Sequence, residues 1–171
     1  MRHLKAVIIL LSLIFCLHGC AESRTNQNTD TLPHLLDDYS KAIVNGIPDD
    51  MLLTIYYLES SVLTLKPVNE TELIEWYAET EDVHKVVVDS TELSSRIDQL
   101  RKIDSCVIQT AHEKETKDAR IYYYVELKTT GKVLEVTMRG SEGNIFVNGI
   151  EVKYNPVFFE LVSPYLTFST D

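Results

Sequence analysis

The stretch that decides the fold is RIYYYVEL at residues 120–127. β-Branched and aromatic side chains dominate it, and such residues suit the pleated, half-buried surface of a β-strand. Because side chains alternate between the two faces of a strand, the odd-numbered residues from Ile121 to Leu127 are predicted to share the face toward the core. Tyr122 and Tyr124 are then predicted to lie together on the opposite face.

Four further segments around this strand alternate in a similar way and are separated by polar breaks. They lie at residues 105–112, 133–138, 145–147 and 150–154. Asn148-Gly149 separates the last two, and both residues tolerate the positive φ angles of a type I′ hairpin turn. Together with residues 120–127, these segments predict an antiparallel C-terminal β-meander.

Helices are predicted at four places in the chain. Apolar residues from Leu32 to Ile43 recur at the spacing of an amphipathic helix. Asn69, with a glutamate three residues later, has the spacing of a capping box before a second helix. Ser90 or Thr91 is expected to cap a third helix. Asn155-Pro156 is expected to begin a fourth, because proline suits the first turn of a helix.

Strand signals are also present in the first half of the chain. Residues 51–58 and 83–88 are predicted to be strands, and residues 62–65 are predicted to pair with the first of them. Helices that lie before and after a run of hairpins indicate an α+β fold, here an antiparallel sheet packed on one face by about three to four helices. The chain has no internal repeat, and residues 32–171 are predicted to form a single domain.

Composition and charge exclude several classes of protein. The chain has 171 residues, of which 44% are hydrophobic and 25% charged, as in ordinary globular proteins. Its formal net charge of −10 argues against nucleic-acid binding, which requires clustered Lys and Arg. Six glycines and five prolines exclude a collagen-like or low-complexity architecture.

The first twenty residues have the features of an export signal. Arg2, His3 and Lys5 precede an apolar run, residues 6–17, that is too short for an ordinary transmembrane helix. The sequence Leu17-His18-Gly19-Cys20 that follows resembles the lipobox of bacterial lipoprotein precursors, although His18 stands where a small or apolar residue is usual. The resemblance implies cleavage between Gly19 and Cys20 and fatty acylation of the Cys20 sulfur.

The resemblance divides the chain into three parts and implies a cellular location for the protein. Residues 1–19 would be a lipoprotein signal peptide, and residues 20–31 a lipidated flexible tether without large apolar residues. The domain, residues 32–171, would be extracytoplasmic and held to membrane lipid through Cys20. Ala21 at the second mature position implies the outer membrane in a host that has two membranes. The alternatives are a plain signal peptide or an apolar N-terminal helix with a chance cysteine.

The folded domain resembles a known group only loosely. The order of strands and helices over residues 86–166, including Phe146-Val147-Asn148-Gly149, is similar to that of small uncharacterised bacterial lipoprotein domains. This resemblance implies no activity. Cys106 has no intramolecular disulfide partner after processing and is interpreted as a small buried apolar residue.

Residue patterns typical of catalysis, cofactors or metals are not found. His112-Glu113 begins like a zinc-protease helix, but Thr116 stands where the second histidine is needed. His84 has no cysteine or second histidine nearby. Acidic clusters at residues 37–38, 49–50 and 79–82 are interpreted as solvated surface. No catalytic residue, metal ligand or cofactor is therefore predicted.

Tyr122 and Tyr124 are the candidate partner-binding residues. If no helix covers their face, they form an aromatic platform for a protein, peptide or glycan; if helices cover it, they are ordinary packing residues. The sequence therefore favours a membrane-anchored lipoprotein with a non-enzymatic binding domain. The alternatives are an extracytoplasmic hydrolase that combines carboxylates with His84 or His112, and a structural subunit of an envelope complex.

Overall fold

One six-stranded antiparallel sheet forms the centre of the computed structural model, which describes residues 34–59, 61–104, 107–109, 111, 117–140 and 143–167. The strands are β1 Met51–Leu58, β2 Val83–Val88, β3 Ile121–Leu127, β4 Gly131–Met138, β5 Ile145–Val147 and β6 Ile150–Val152. Their spatial order is β2-β1-β3-β4-β5-β6. The last four strands are neighbours in sequence and in space, as the prediction of a C-terminal meander requires.

The helices pack against this sheet. They are α1 Asp37–Ile43, α2 Glu70–Glu79, α3 Ser90–Ser94, α4 Ile97–Arg101 and α5 Val157–Val162, and a 3₁₀ helix follows at Ser163–Tyr165. The predicted α+β class and single-domain fold are confirmed, but the helices pack on both faces of the sheet rather than on one, because α2 lies on the face opposite the other four helices. The described part of the chain has five α-helices rather than three to four, because the single helix predicted after β2 is divided into two short helices, α3 and α4.

β1 is a central strand, and its sequence explains why. MLLTIYYL is apolar at nearly every position, and most of its side chains are buried on both faces of the sheet. A strand that faces water on one side would alternate with polar residues. β1 therefore pairs antiparallel with β2 on one side and with β3 on the other.

The tight turn between β5 and β6 has the predicted conformation. Asn148 has a φ of 47° and Gly149 a φ of 80°. Positive φ at both central residues matches the right-handed twist of the flanking strands. The Asn148 side chain also donates to the Leu35 carbonyl at 2.8 Å, which ties the turn to the start of α1.

The main core lies on one face of the sheet, under α1, α3, α4 and α5. Two of its buried tyrosines donate hydrogen bonds to backbone carbonyls, so that their hydroxyl groups are not left unsatisfied. Tyr123 donates to the Phe158 carbonyl at 2.9 Å, and Tyr39 donates to the Leu100 carbonyl at 2.9 Å. Burial raises the pKa of both tyrosines.

The opposite face is covered at only one end. α2 contacts β1 and β2 there, and its Leu73 belongs to a smaller buried cluster with Val68 of the preceding loop and Tyr56 of β1. A capping box fixes the start of α2: Asn69 Oδ1 accepts from the Glu72 amide at 2.9 Å, and Glu72 Oε2 accepts from the Asn69 amide at 3.0 Å. The capping prediction from the sequence is confirmed.

Residues 62–65 do not form the predicted strand. Both sides of β1 are already occupied by β2 and β3, so no edge of β1 is free for a further strand. The segment is instead a loop before α2, in which Val62 packs toward the smaller cluster while Leu63 and Leu65 are exposed. The alternation of its side chains between partly buried and exposed positions is that of an extended loop rather than a paired strand.

Two other predictions need correction. Asp89, rather than Ser90 or Thr91, caps the helix after β2, because its carboxylate accepts from the Glu92 amide at 3.0 Å. The described residues of the predicted 105–112 strand, 107–109 and 111, are not in a strand. They nevertheless lie along β6: the Lys153 amide donates to the Gln109 carbonyl at 2.7 Å, and the Ala111 amide donates to the Glu151 carbonyl at 3.4 Å.

Candidate functional site

Two rows of side chains cross the partly covered face of the sheet. The strand register aligns them across β2, β1, β3 and β4. The row near α2, here called the covered row, contains Lys85, Tyr56, Tyr122 and Thr137. The next row, here called the open row, contains Val87, Thr54, Tyr124 and Glu135. The predicted placement of Tyr122 and Tyr124 on the face opposite Tyr123 is correct.

Tyr122 is not part of an exposed platform. It is 3% exposed and packs in the smaller cluster with Leu73 of α2. Its ring lies 6.4 Å from the Tyr56 ring and 5.7 Å from the Tyr124 ring, measured between centroids. Of the two alternatives left open by the sequence, packing therefore describes Tyr122, while Tyr124 is only partly buried.

Lys132 connects the two rows through a hydrogen-bonded network. Tyr122 Oη donates to Glu135 Oε1 at 2.5 Å, and Lys132 Nζ donates to the same carboxylate oxygen at 2.5 Å and to Tyr122 Oη at 2.8 Å. Lys132 Nζ also lies 4.5 Å from the centre of the Tyr124 ring, within the range of a cation–π interaction. The network holds the Tyr124 ring beside a cation at the surface.

The pKa values of this network follow from burial and hydrogen bonding. Burial alone would raise the pKa of Glu135, but hydrogen bonds from Lys132 and Tyr122 hold it below the ordinary value of a glutamate. Burial and the bond to Glu135 raise the pKa of Tyr122. At neutral pH the carboxylate is therefore charged and the phenol is a neutral donor.

Lys85 lies at the edge of the same face and has no carboxylate partner among the described residues. Its Nζ is 5.3 Å from the Tyr56 ring centre and 5.8 Å from that of Tyr77 on α2. A hydrogen bond with Tyr56 is the main cause of the raised pKa of Lys85. The β2 edge of the sheet therefore presents a lysine close to two tyrosine rings, in a protein whose net charge is negative.

A second ion pair lies at the β4 end of the covered row, beside Thr137. Lys117 Nζ pairs with Glu70 Oε1, which also accepts from Thr137 Oγ1 at 2.9 Å. Burial would raise the pKa of Glu70, but the hydrogen bonds from Lys117 and Thr137 and the backbone hold it below its usual value. The first residue of α2 is thereby attached to β4, which fixes how far the helix covers the sheet.

Acid should weaken this arrangement. A group whose pKa is lowered by folding contributes stability above its unfolded pKa, about 4.3 for glutamate. That contribution is lost as the pH falls through the lower folded pKa, because the unfolded chain then binds more protons. We expect Glu135→Gln to reduce the loss of stability between pH 5 and pH 3, measured by urea unfolding. Glu126→Gln, on the same face but without a described hydrogen bond or ion pair, is the control; an equal reduction there would contradict the assignment.

The histidines considered in the hydrolase alternative are placed differently by the structure. His84 Nε2 lies 2.8 Å from Glu59 Oε1, and the His84 ring lies 5.0 Å from the Tyr57 ring. Its described contacts include no serine or cysteine that could act as a nucleophile. His112 and Glu113 lie outside the described residues, as do Gly19, Cys20 and Cys106.

Metal-binding groups and membrane spans were also sought in the described ranges. No group of three or more His, Cys, Asp or Glu side chains that could hold a metal ion occurs in them. None of the helices in the part of the chain that the structure describes has the length and apolar composition needed to cross a membrane.

The sequence indicated one member of the open row, Tyr124, and missed its neighbours. Lys85 and Lys132 are single lysines on separate strands, and nothing local relates them to the tyrosines. Only the register, with Lys85 opposite Tyr56 and Glu135 opposite Tyr124, brings these groups together. The chain matches no protein-family model, no curated protein and no solved structure.

Proposed function

We propose that this chain is a lipid-anchored protein of the bacterial cell envelope whose α+β domain binds a protein, peptide or surface polymer. The binding surface comprises Val87, Tyr124 and Glu135 of the open row together with Lys85, Lys132 and Tyr77. Thr54, the fourth member of the open row, is buried. The observation that carries the proposal is the incomplete cover of this face. α2 lies over one end, whereas Val87 and Lys85 of β2 remain exposed, as does Tyr77 of α2 itself.

The composition of this surface is that of a recognition site. Tyrosines present large apolar rings with a polar tip, and they are enriched among residues that dominate binding energy. Lys132 is held over the Tyr124 ring by its bonds to Glu135 and Tyr122. A ligand therefore meets side chains that are already ordered, which lowers the entropy lost on binding.

The anchoring part of the proposal rests on the lipobox-like Leu17-His18-Gly19-Cys20 and the polar residues that follow it. Removal of residues 1–19 deletes two cations and no acid, so the net charge of −10 becomes −12. Such a charge keeps the body of a domain away from anionic headgroups. An acylated Cys20 would supply the attachment that charge does not.

A hydrolase is the second candidate, and the His84–Glu59 pair is the observation in its favour. A carboxylate at 2.8 Å can orient an imidazole so that it acts as a general base. The pair lies at the edge of the sheet where β1 ends and β2 begins. Turnover in a substrate screen that is lost in His84→Ala would support this candidate over binding.

The binding proposal predicts a selective loss in Tyr124→Ala. The full chain is cross-linked within envelope membranes and then purified from them, and we expect it to recover one partner. Tyr124→Ala should weaken that recovery roughly tenfold or more, as the loss of a binding hot spot would. Tyr154→Ala is the matched control, because Tyr154 is also exposed but follows β6 at the other side of the sheet. Equal recovery by both variants would contradict the proposed surface.

A further inference from the structure

The two edges of the sheet differ in what lies beside them. Beside β6, the Lys153 amide donates to the Gln109 carbonyl at 2.7 Å, and the Ala111 amide donates to the Glu151 carbonyl at 3.4 Å. In the described part of the chain, β2 pairs with β1 alone. The edge of a strand presents unpaired amide and carbonyl groups to which another strand can bind, and proteins usually cover or interrupt such edges. The β2 edge is therefore the place where a further strand can join this sheet.

The hydrogen bonds of β1 show which backbone groups of β2 face outward. The Leu58 amide donates to the Arg120 carbonyl on the β3 side, and the next amide, of Glu59, donates to the Asp82 carbonyl on the β2 side. Because alternate residues of an antiparallel strand bond to opposite neighbours, the even-numbered residues of β2 bond to β1. The amides and carbonyls that face the open edge are those of Val83, Lys85 and Val87. No other described residue bonds to these groups.

The side chains of these three residues are apolar, cationic and apolar in turn, and all lie on the partly covered face. Val83 is buried in the smaller cluster, whereas Val87 is 53% exposed. Lys85 between them is exposed and has no carboxylate partner in the described ranges. Directly opposite side chains on paired strands stabilise a sheet when both are apolar or when their charges are opposite. A strand that fits this edge therefore has an acidic residue opposite Lys85 and apolar residues two positions before and after it.

A second copy of this chain fits the edge poorly. In an antiparallel pair, residues that face outward on one strand stand opposite residues that face outward on the other. The register that pairs all three outward residues of two β2 strands places Lys85 opposite Lys85, and like charges directly opposite each other are destabilising. The same register brings Glu81, before one strand, level with Asp89, after the other. The edge therefore favours a strand from a different protein, with cations rather than acids beyond its apolar residues.

We propose that the β2 edge binds an extended segment of another protein as an antiparallel seventh strand, with an acidic residue between two apolar residues at alternate positions. This inference rests on the proposed function and names its partner, because Lys85 and Val87 belong to the proposed binding surface. The segment pairs with the outward amides and carbonyls of β2, its carboxylate pairs with Lys85, and an apolar side chain covers Val87. In this mode of recognition the main-chain hydrogen bonds give affinity and the alternate side chains give specificity.

A synthetic peptide tests the pairing without any change to the protein. The probe is the labelled peptide Lys-Val-Thr-Glu-Thr-Val-Lys, titrated into the purified full chain in detergent while fluorescence anisotropy is measured. Two N-methylated versions are compared with it. Methylation of the glutamate amide blocks a bond to Lys85, whereas methylation of the next threonine amide alters a group that faces away from β2. We expect the first version to bind about tenfold more weakly or worse, and the second to bind within about twofold of the unmodified peptide.

Charge reversal tests the contact with Lys85. Lys85→Glu should weaken binding of the peptide about tenfold or more, and a peptide with lysine in place of its glutamate should restore it. Restored binding also shows that the variant is folded. Lys153→Glu is the matched control, because Lys153 is also exposed but lies at the opposite edge, beside Gln109. It should leave the affinity for the original peptide unchanged.

Failure of this inference is distinguishable from failure of the proposed function. No binding of the unmodified peptide at about 1 mM, equal weakening by both methylated versions, or equal effects of the two charge reversals would overturn the added strand. If a partner is still recovered from envelope membranes and is lost in Tyr124→Ala, the binding function stands without the strand. If no partner is recovered in that way either, both proposals are wrong.

Discussion

Tyr122→Ala should lower the free energy of unfolding by about 3–5 kcal/mol, the range for deleting a large buried aromatic side chain. The residue is buried between the rings of Tyr56 and Tyr124, and its hydroxyl donates to Glu135. Removing it leaves a cavity under α2 and leaves Glu135 with Lys132 as its remaining side-chain donor in the network described. The change in the urea midpoint at constant slope measures the effect.

Two companion variants separate packing from hydrogen bonding at this position. Tyr122→Phe keeps the ring and removes the hydroxyl, and we expect a loss of roughly 1 kcal/mol. Tyr124→Ala removes a partly exposed ring, and we expect a loss of about 1 kcal/mol or less. If Tyr124→Ala destabilised the protein as much as Tyr122→Ala, the distinction between the covered row and the open row would be wrong.

Cys20→Ala should transfer the protein from the membrane fraction to the soluble extracytoplasmic fraction. A fatty-acyl group contributes about 0.8 kcal/mol for each buried methylene, so loss of all acyl chains removes most of the membrane affinity. The described part of the chain offers no spanning helix that could replace the acyl chains. Ultracentrifugation of broken cells followed by detection in each fraction measures the change.

The matched control for this variant is Cys106→Ala. It removes the other cysteine left after the proposed cleavage but leaves the lipobox-like residues unchanged, so membrane association should remain as in the original chain. Cys20→Ala that still sedimented with the membranes would contradict the proposed anchoring.

Two local signals in the sequence predict the structure correctly. Asn148-Gly149 and the capping box at Asn69 each depend on residues within four positions, and both are found as predicted. β1 and β3 were also identified as strands from their own composition. Such features are determined by neighbouring residues and need no knowledge of the rest of the fold.

The error at residues 62–65 arises because distant segments compete for one position. Residues 62–65 alternate like a strand, but β3, about sixty residues later in the chain, occupies the place beside β1. In the same way, the burial of Tyr122 depends on where α2 lies, which the residues around Tyr122 do not specify. The two lysines of the candidate surface become neighbours of tyrosines only through the strand register.

The intact mass of the protein recovered from cells tests the central claim most directly. The account predicts a chain that begins at Cys20 and carries the added mass of a thioether-linked diacylglyceryl group, with residues 1–19 removed. An unmodified chain that still begins at Met1 and is recovered from the cytosol would contradict it.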